Sequence, residues 1–186
     1  MKKLYKSLNI LHQCLTANSI EYAVIGGIAV AVWGEPRLTK DIDVKVLLSR
    51  DEAEMLLNAI KTEYEPFWDN PLDMLKKNGI LFVRDTHGMR IDLHLSDTLF
   101  DRGVIERAIE IEIEPGIAVK VCTVEDLIIY KMLSMRGSDA KDFEGIIDHQ
   151  GDALDDKYII GWLKQFEEAL DDSTLIDTYQ KMRASK

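Results

Sequence analysis

Arg37-Leu38-Thr39-Lys40-Asp41-Ile42-Asp43-Val44-Lys45-Val46 is the stretch on which the fold turns. From Asp41 onward polar and apolar residues alternate, which predicts a strand over residues 41–48. Residues two apart on a strand share a face, so Asp41 and Asp43 project side by side. Asp-x-Asp alone is modest evidence, because it occurs on many exposed strands. Here Ile42, Val44, Val46 and Leu47 make the strand hydrophobic enough for the middle of a sheet, where acids need a chemical reason. Two ionised carboxylates at that spacing repel each other. A shared proton or a bound cation relieves the repulsion.

Upstream, Tyr22-Ala23-Val24-Ile25 reads as a short buried strand that runs into Gly26-Gly27. An alanine- and valine-rich helix over 28–33 follows, broken by Gly34-Glu35-Pro36. A glycine pair where a strand opens a helix leaves backbone N–H groups accessible to phosphate. It equally permits close packing of helix on sheet. The pair is neither GxGxxG nor a Walker A loop, since no Gly-Lys-Ser/Thr follows. Downstream, Arg90-Ile91-Asp92-Leu93-His94-Leu95 supplies a third acid on a second alternating strand. Three carboxylates can hold two divalent ions roughly 3.5–4 Å apart, which activate an attacking hydroxyl and stabilise a leaving pyrophosphate. Hard oxygen ligands without a His/Cys cluster favour Mg2+, or Mn2+, over zinc. The residues thus point to metal-dependent phosphoryl or nucleotidyl transfer.

The remaining segments fill in a mixed α/β block. Leu4, Leu8, Leu11 and Leu15 recur at helical spacing, predicting an amphipathic helix over 2–17. Ser49, with Glu52 three residues later, caps a helix over 50–62. Residues 64–77, with Pro66 and Pro71, read as loop with a short helical piece. Strands over 79–83 and 89–95 flank Thr86-His87-Gly88 as a hairpin. A helix near 100–110, a strand near 111–114 and a strand over 117–121 follow. From Thr123, paired with Asp126 at a helix start, the pattern is helical over 124–134, 139–149, 155–170 and 173–183. The expected class is α/β (α+β): a mixed sheet of four to five strands flanked by helices, then an α-helical segment. The expected division is residues 1–121 and 122–186.

With 186 residues, 46% hydrophobic and 30% charged, the chain can bury a good core. No apolar run approaches the roughly 18 residues of a membrane span. Asn9, His12 and Gln13 interrupt the segment after Met1-Lys2-Lys3, so no secretory leader is expected. Cys14 and Cys122 lack metal-ligand spacing and read as small apolar residues, making cytoplasm the default. A formal charge of −10 argues against broad phosphate contact with DNA or RNA. The histidines read as surface or pocket-edge residues, with His94 sharing the strand face of Asp92. Trp33 and Trp68 read as packing residues.

Gly26-Gly27, thirteen intervening residues, Asp41-Ile42-Asp43 and Asp92 on a later strand together resemble the nucleotidyltransferase-fold superfamily. That superfamily includes DNA polymerase beta and the aminoglycoside nucleotidyltransferases. The run from Arg37 to Asp43, with Lys131, Arg136 and Lys141-Asp142, is most similar to the AbiEii-type and related minimal branches. Those are often components of toxin–antitoxin or phage-defence pairs. The resemblance covers about residues 20–145. It implies that Gly26 and Gly27 hold the nucleotide phosphates and that Asp41 and Asp43 bind both metals. Asp92 then completes the metal nearer the acceptor and helps deprotonate its hydroxyl. Arg37 and Thr39 line the same pocket, and Lys131 reaches the triphosphate from the other side. Arg136 and Lys141 either join it or serve as a helix-end cation and half of an ion pair respectively.

The function this implies is a Mg2+-dependent enzyme moving NMP from an NTP to a hydroxyl on a protein, an RNA end or a small molecule. The competing reading is a non-catalytic nucleotide- or partner-binding member of such a pair, held by a cognate toxin or antitoxin. The presence of all three acids argues against it. A phosphatase or nuclease built on the same acids would leave the glycine pair without a purpose.

Overall fold

The computed structural model describes residues 2–134 and 139–184. The chain divides into two compact units, Met1–Ile28 with Leu38–Cys122 and Ala29–Arg37 with Thr123–Lys186. The helical segment after Cys122 therefore groups with an upstream piece, residues 29–37.

The first unit opens with α1 (Lys2–Ala17), whose Leu4, Leu8, Leu11 and Leu15 are all buried, as their spacing predicts. β1 (Tyr22–Ile25) is buried along its whole length, as befits a strand covered on both faces. It runs directly into α2 (Gly26–Trp33), whose first turn belongs to this unit. β2 (Asp41–Val46) alternates strictly: Ile42, Val44 and Val46 are buried while Asp41, Asp43 and Lys45 occupy the other face. After a 3-10 turn over Arg50–Glu52 comes α3 (Ala53–Ile60); Glu52 accepts hydrogen bonds from the Ser49 backbone N–H and hydroxyl at 2.9 and 2.8 Å.

Residues 64–77, expected as loop with a short helical piece, hold β3 (Tyr64–Pro66), which was not expected, and most of α4 (Pro71–Asn78). Pro71 fits the first helical turn, where its missing N–H has no partner to lose. Gly79 closes the helix in the left-handed conformation at φ +70°. Arg50 donates to the carbonyls of Lys76 and Lys77, both at 2.7 Å, satisfying the helix end. The expected hairpin is β4 (Ile80–Asp85) and β5 (Arg90–Leu95). Next come α5 (Leu99–Arg107), β6 (Ile109–Glu114) and β7 (Ile117–Val121).

Among the described residues the sheet has seven strands, in the order β3-β4-β5-β2-β1-β7-β6, more than the four to five expected. β1/β7 and β2/β5 are parallel and the other neighbours antiparallel, so the sheet is mixed. The β2/β5 register sets Asp41 opposite Arg90, Asp43 opposite Asp92 and Lys45 opposite His94. That single pairing builds the site.

The second unit holds the rest of α2 and then α6 (Val124–Ser134), α7 (Asp139–Gln150), α8 (Asp156–Leu170) and α9 (Leu175–Ala184). Thr123 caps α6 reciprocally: its hydroxyl lies 2.8 Å from an Asp126 carboxylate oxygen and accepts from the Asp126 N–H at 3.3 Å. Gly34 lies where a Cβ would come within 2.9 Å of the Ile146 backbone, so α7 can pass close to it. No described helix is long and apolar enough to cross a membrane.

Candidate active site

Paired residues on adjacent strands point to the same side of a sheet, so Asp41, Asp43 and Asp92 share one face at its centre. Asp92 is buried, Asp41 and Asp43 half-buried. Next to them lies the glycine turn. Gly26 has φ +63°, a conformation costly for any other residue. A Cβ on Gly26 would stand 2.2 Å from Oδ2 of Asp43, and one on Gly27 would stand 2.6 Å from Oγ1 of Thr39. The two glycines therefore do structural work that their phosphate-binding potential does not require. They leave room for the Asp43 carboxylate and for the Thr39 hydroxyl. That hydroxyl lies 3.1 Å from both the backbone oxygen and Oδ1 of Asp41, to which it donates. Gly26, Gly27, Thr39, Asp41 and Asp43 are thus a connected set, each acid braced by what its glycine leaves open.

This arrangement makes Gly26→Ala informative. The left-handed backbone should cost about 1–2 kcal/mol of stability, and the Asp43 carboxylate must rotate away. Displacement of a reacting group by about 1 Å costs about 100-fold in rate. A kcat reduced by that order, in a protein melting only a few degrees lower, is the expected result; wild-type kcat would show that the carboxylate tolerates the shift.

Arg90 stands beside the acids, although nothing in the sequence reading singled it out. Its Nε and Nη2 donate to Oδ1 and Oδ2 of Asp92 at 2.7 and 2.8 Å. Its guanidinium carbon lies 4.5 Å from the centre of the Phe82 ring. The hydrogen bond to Asp92 raises the Arg90 pKa above its ordinary value, and the charges of Asp92, Asp41 and Asp43 act in the same direction. The signal was present in the sequence: Arg90 precedes Asp92 by two residues and so shares its face. Also unforeseen is an ion pair of 2.8 Å between Lys45, the next residue on the Asp41/Asp43 face, and Asp101 near the start of α5.

Among the described residues no group of three or more acid, imidazole or thiol side chains is placed so that it could hold a metal ion. The three carboxylates nevertheless offer the hard oxygen donors that magnesium prefers. They stand on one face, and the cation now neutralising one of them is a side chain of the same chain. Metal ions at Asp41, Asp43 and Asp92 would supply Lewis-acid stabilisation of charge on the phosphates and on the acceptor oxygen.

The remaining residues named from the sequence lie in the second unit. Arg37 donates from Nε and Nη2 to the two oxygens of Asp142 at 2.7 and 3.0 Å. Lys131 is buried, with its Nζ 2.8 Å from Asp139 and 2.6 Å from Asp142. Ser134 donates to the other oxygen of Asp139 at 2.7 Å. Arg37, Lys131, Asp139 and Asp142, all but Arg37 almost wholly buried, are thus linked by ion pairs that join the end of the 34–37 segment, α6 and α7. Lys141 is exposed and lines a cavity of about 110 Å3 with Glu35, Pro36, Arg37, Asp142 and Gly145. Arg136 lies outside the described residues.

A mixed sheet carrying two acids on β2, a third on the parallel neighbour β5, and a glycine turn leading from β1 into a helix defines a nucleotidyltransferase fold. Residues 4–177 match the family described as a nucleotidyl transferase of unknown function (DUF2204), and the chain belongs to that family. It is an enzyme of the nucleotidyltransferase class, transferring NMP groups. No curated protein matches it. Solved structures share the fold. An antigenic nucleotidyltransferase-like protein from Paracoccidioides brasiliensis is 18% identical, with a TM-score of 0.57 over 95% of this chain and 93% of that one. The antibiotic-resistance factor ANT(2″)-Ia is 10% identical, with a TM-score of 0.63 over 91% of this chain and 96% of that one. JHP933 from Helicobacter pylori is 13% identical, with a TM-score of 0.50 over 97% of this chain and 78% of that one.

Proposed function

We propose that the chain transfers NMP from an NTP to a hydroxyl acceptor in a Mg2+-dependent reaction centred on Asp41, Asp43 and Asp92. The observation that carries this reading is the β2/β5 register, which sets Asp43 directly opposite Asp92 on the face that Gly26 leaves open. In the reaction the acceptor oxygen attacks the α-phosphorus, the bond to the β-phosphate breaks, and pyrophosphate departs. Asp92 lies on the β5 side of the acid pair and Gly26 on the β1 side, which supports a reading with the acceptor proton at Asp92 and the phosphates at the glycine turn. Thr39 orients Asp41 through its hydroxyl. Asp41, Asp43 and Asp92 would hold Mg2+, with Mn2+ a substitute by its similar oxygen preference.

For Arg37, Lys131, Arg136 and Lys141 the superfamily resemblance supplies a phosphate-binding role, and the Asp139/Asp142 network gives Arg37 and Lys131 a structural one. The same resemblance supports an AbiEii-like branch and membership of a cytoplasmic toxin–antitoxin or phage-defence pair, with a cognate protein partner. Incubation of the protein with each α-labelled NTP, Mg2+ and cell extract should place label on one acceptor class, and chelation of the metal should abolish it. No labelled product with any of the four nucleotides would refute the reading.

A further inference from the structure

The face of the sheet turned away from the three acids carries a hollow that the reaction above leaves unused. Along β4, Leu81, Val83 and Asp85 are buried, whereas Phe82 pairs in register with Asp92. Paired residues share a side and successive residues alternate, so Asp85 points to the side opposite Asp92. There it lines a cavity of about 420 Å3. Leu57 and Ile60 of α3, Pro66 of β3 and Pro71 of α4 give that cavity apolar walls. Its volume falls within the range of about 300–1,000 Å3 that small-molecule sites occupy.

Asp85 is 7% exposed, and acids are seldom that deep unless paired. Its Oδ1 accepts the backbone N–H groups of His87 and Met89, both at 2.8 Å, which holds the turn between β4 and β5. Among the described residues no donor reaches Oδ2. Tyr64, opposite Asp85 in register, donates its hydroxyl elsewhere, to the Ser7 carbonyl at 2.7 Å. The lining sets Glu63, Glu65 and Asp85 against Lys61 and Arg84, so acids are in excess. Arg84 is bound by Glu65 at 2.9 Å, and the exposed Lys61 donates to Asn58 at 3.2 Å. A carboxylate oxygen without a donor, set among apolar walls, is the complement of an ammonium group on an apolar body. We propose that this cavity binds a small organic amine, its ammonium donating to Oδ2 of Asp85 and its apolar part lying against Leu57, Ile60 and Pro71. The site faces away from the three central acids and depends on neither metal nor nucleotide there.

Titration of the full chain with cyclohexylmethylamine and with benzylamine, followed by the backbone amide resonances, tests the assignment without any turnover. Either amine should shift the amides of His87 and Met89 together with those of residues 61–65. Cyclohexylmethanol and benzyl alcohol keep the same bodies without the charge. They should bind at least about tenfold more weakly, the worth of a hydrogen bond to a charged group. Asp85→Asn keeps Oδ1 for the turn and puts an amide nitrogen in place of Oδ2. It should weaken the amines by about tenfold and leave the alcohols within about twofold. The comparison of amine with alcohol on wild type needs no variant and serves if Asp85→Asn does not fold. Equal binding of amine and alcohol, or unchanged amine binding in the folded variant, overturns the proposal. So does a wild-type protein that shifts with neither amine, or only at Asp41, Asp43, Asp92 and their neighbours.

Discussion

Asp43→Asn should abolish nucleotidyl transfer while leaving the protein folded. Asp43 occupies the middle of the site: it pairs in register with Asp92 on one side and Ile25 on the other, and its carboxylate fills the space over Gly26. Asparagine has the same shape, so neither the strand nor the glycine contact is disturbed. Only the charge is lost. If the carboxylate carries ions that stabilise several kcal/mol of transition-state charge, the rate should fall by about 1,000-fold or more. The metal-free variant should remain folded, because the side chain keeps its shape over Gly26. Transfer above about a tenth of the wild-type rate would exclude Asp43 from the chemistry.

Asp142→Ala should have the largest effect on stability. Asp142 accepts both donors of Arg37 and one from Lys131, and its side chain is 3% exposed. Removing it leaves Lys131, 11% exposed, with Asp139 as its remaining carboxylate partner in the network. Breaking a buried ion-pair network from one side costs up to about 3–5 kcal/mol, because Lys131 and Arg37 then exceed the remaining carboxylate of the network by one charge. Arg37→Ala should cost far less, about 1 kcal/mol or below, since its side chain is 41% exposed and rehydrates readily. Urea denaturation of both variants reads the contrast. Equal costs for the two would show that the network is not anchored at Asp142.

Short-range periodicity was enough to read much of this fold. The four leucines of α1 and the alternation of β2 each placed a buried face correctly, because helix and strand periods act over only a few residues. β3 escaped notice for the same reason. Tyr64-Glu65-Pro66 is too short to show alternation and owes its existence to pairing with β4. The candidate site was legible as residue types on predicted strands, whereas its internal contacts were not. That Gly26 abuts Asp43 and Gly27 abuts Thr39 depends on a helix and a loop folding back together. The Arg37–Asp142 pair spans 105 positions, beyond any local pattern. Arg90 is different: its two-residue offset from Asp92 was in plain view, and only its geometry shows that the guanidinium binds the acid.

β6 stands last in the sheet order and alternates Ile109-Glu110-Ile111-Glu112-Ile113-Glu114. A terminal strand offers unpaired backbone groups to any passing strand, and isoleucine at every second position would make that offer adhesive. The glutamates withdraw it, because identical molecules meeting rim to rim bring the same negative rows together. Such protection reaches only as far as the ionic atmosphere allows, about 10 Å at 0.1 M salt and about 3 Å at 1 M. Colloidal behaviour should therefore be governed by ionic strength at this rim, independently of whatever the carboxylates at the centre of the sheet are binding.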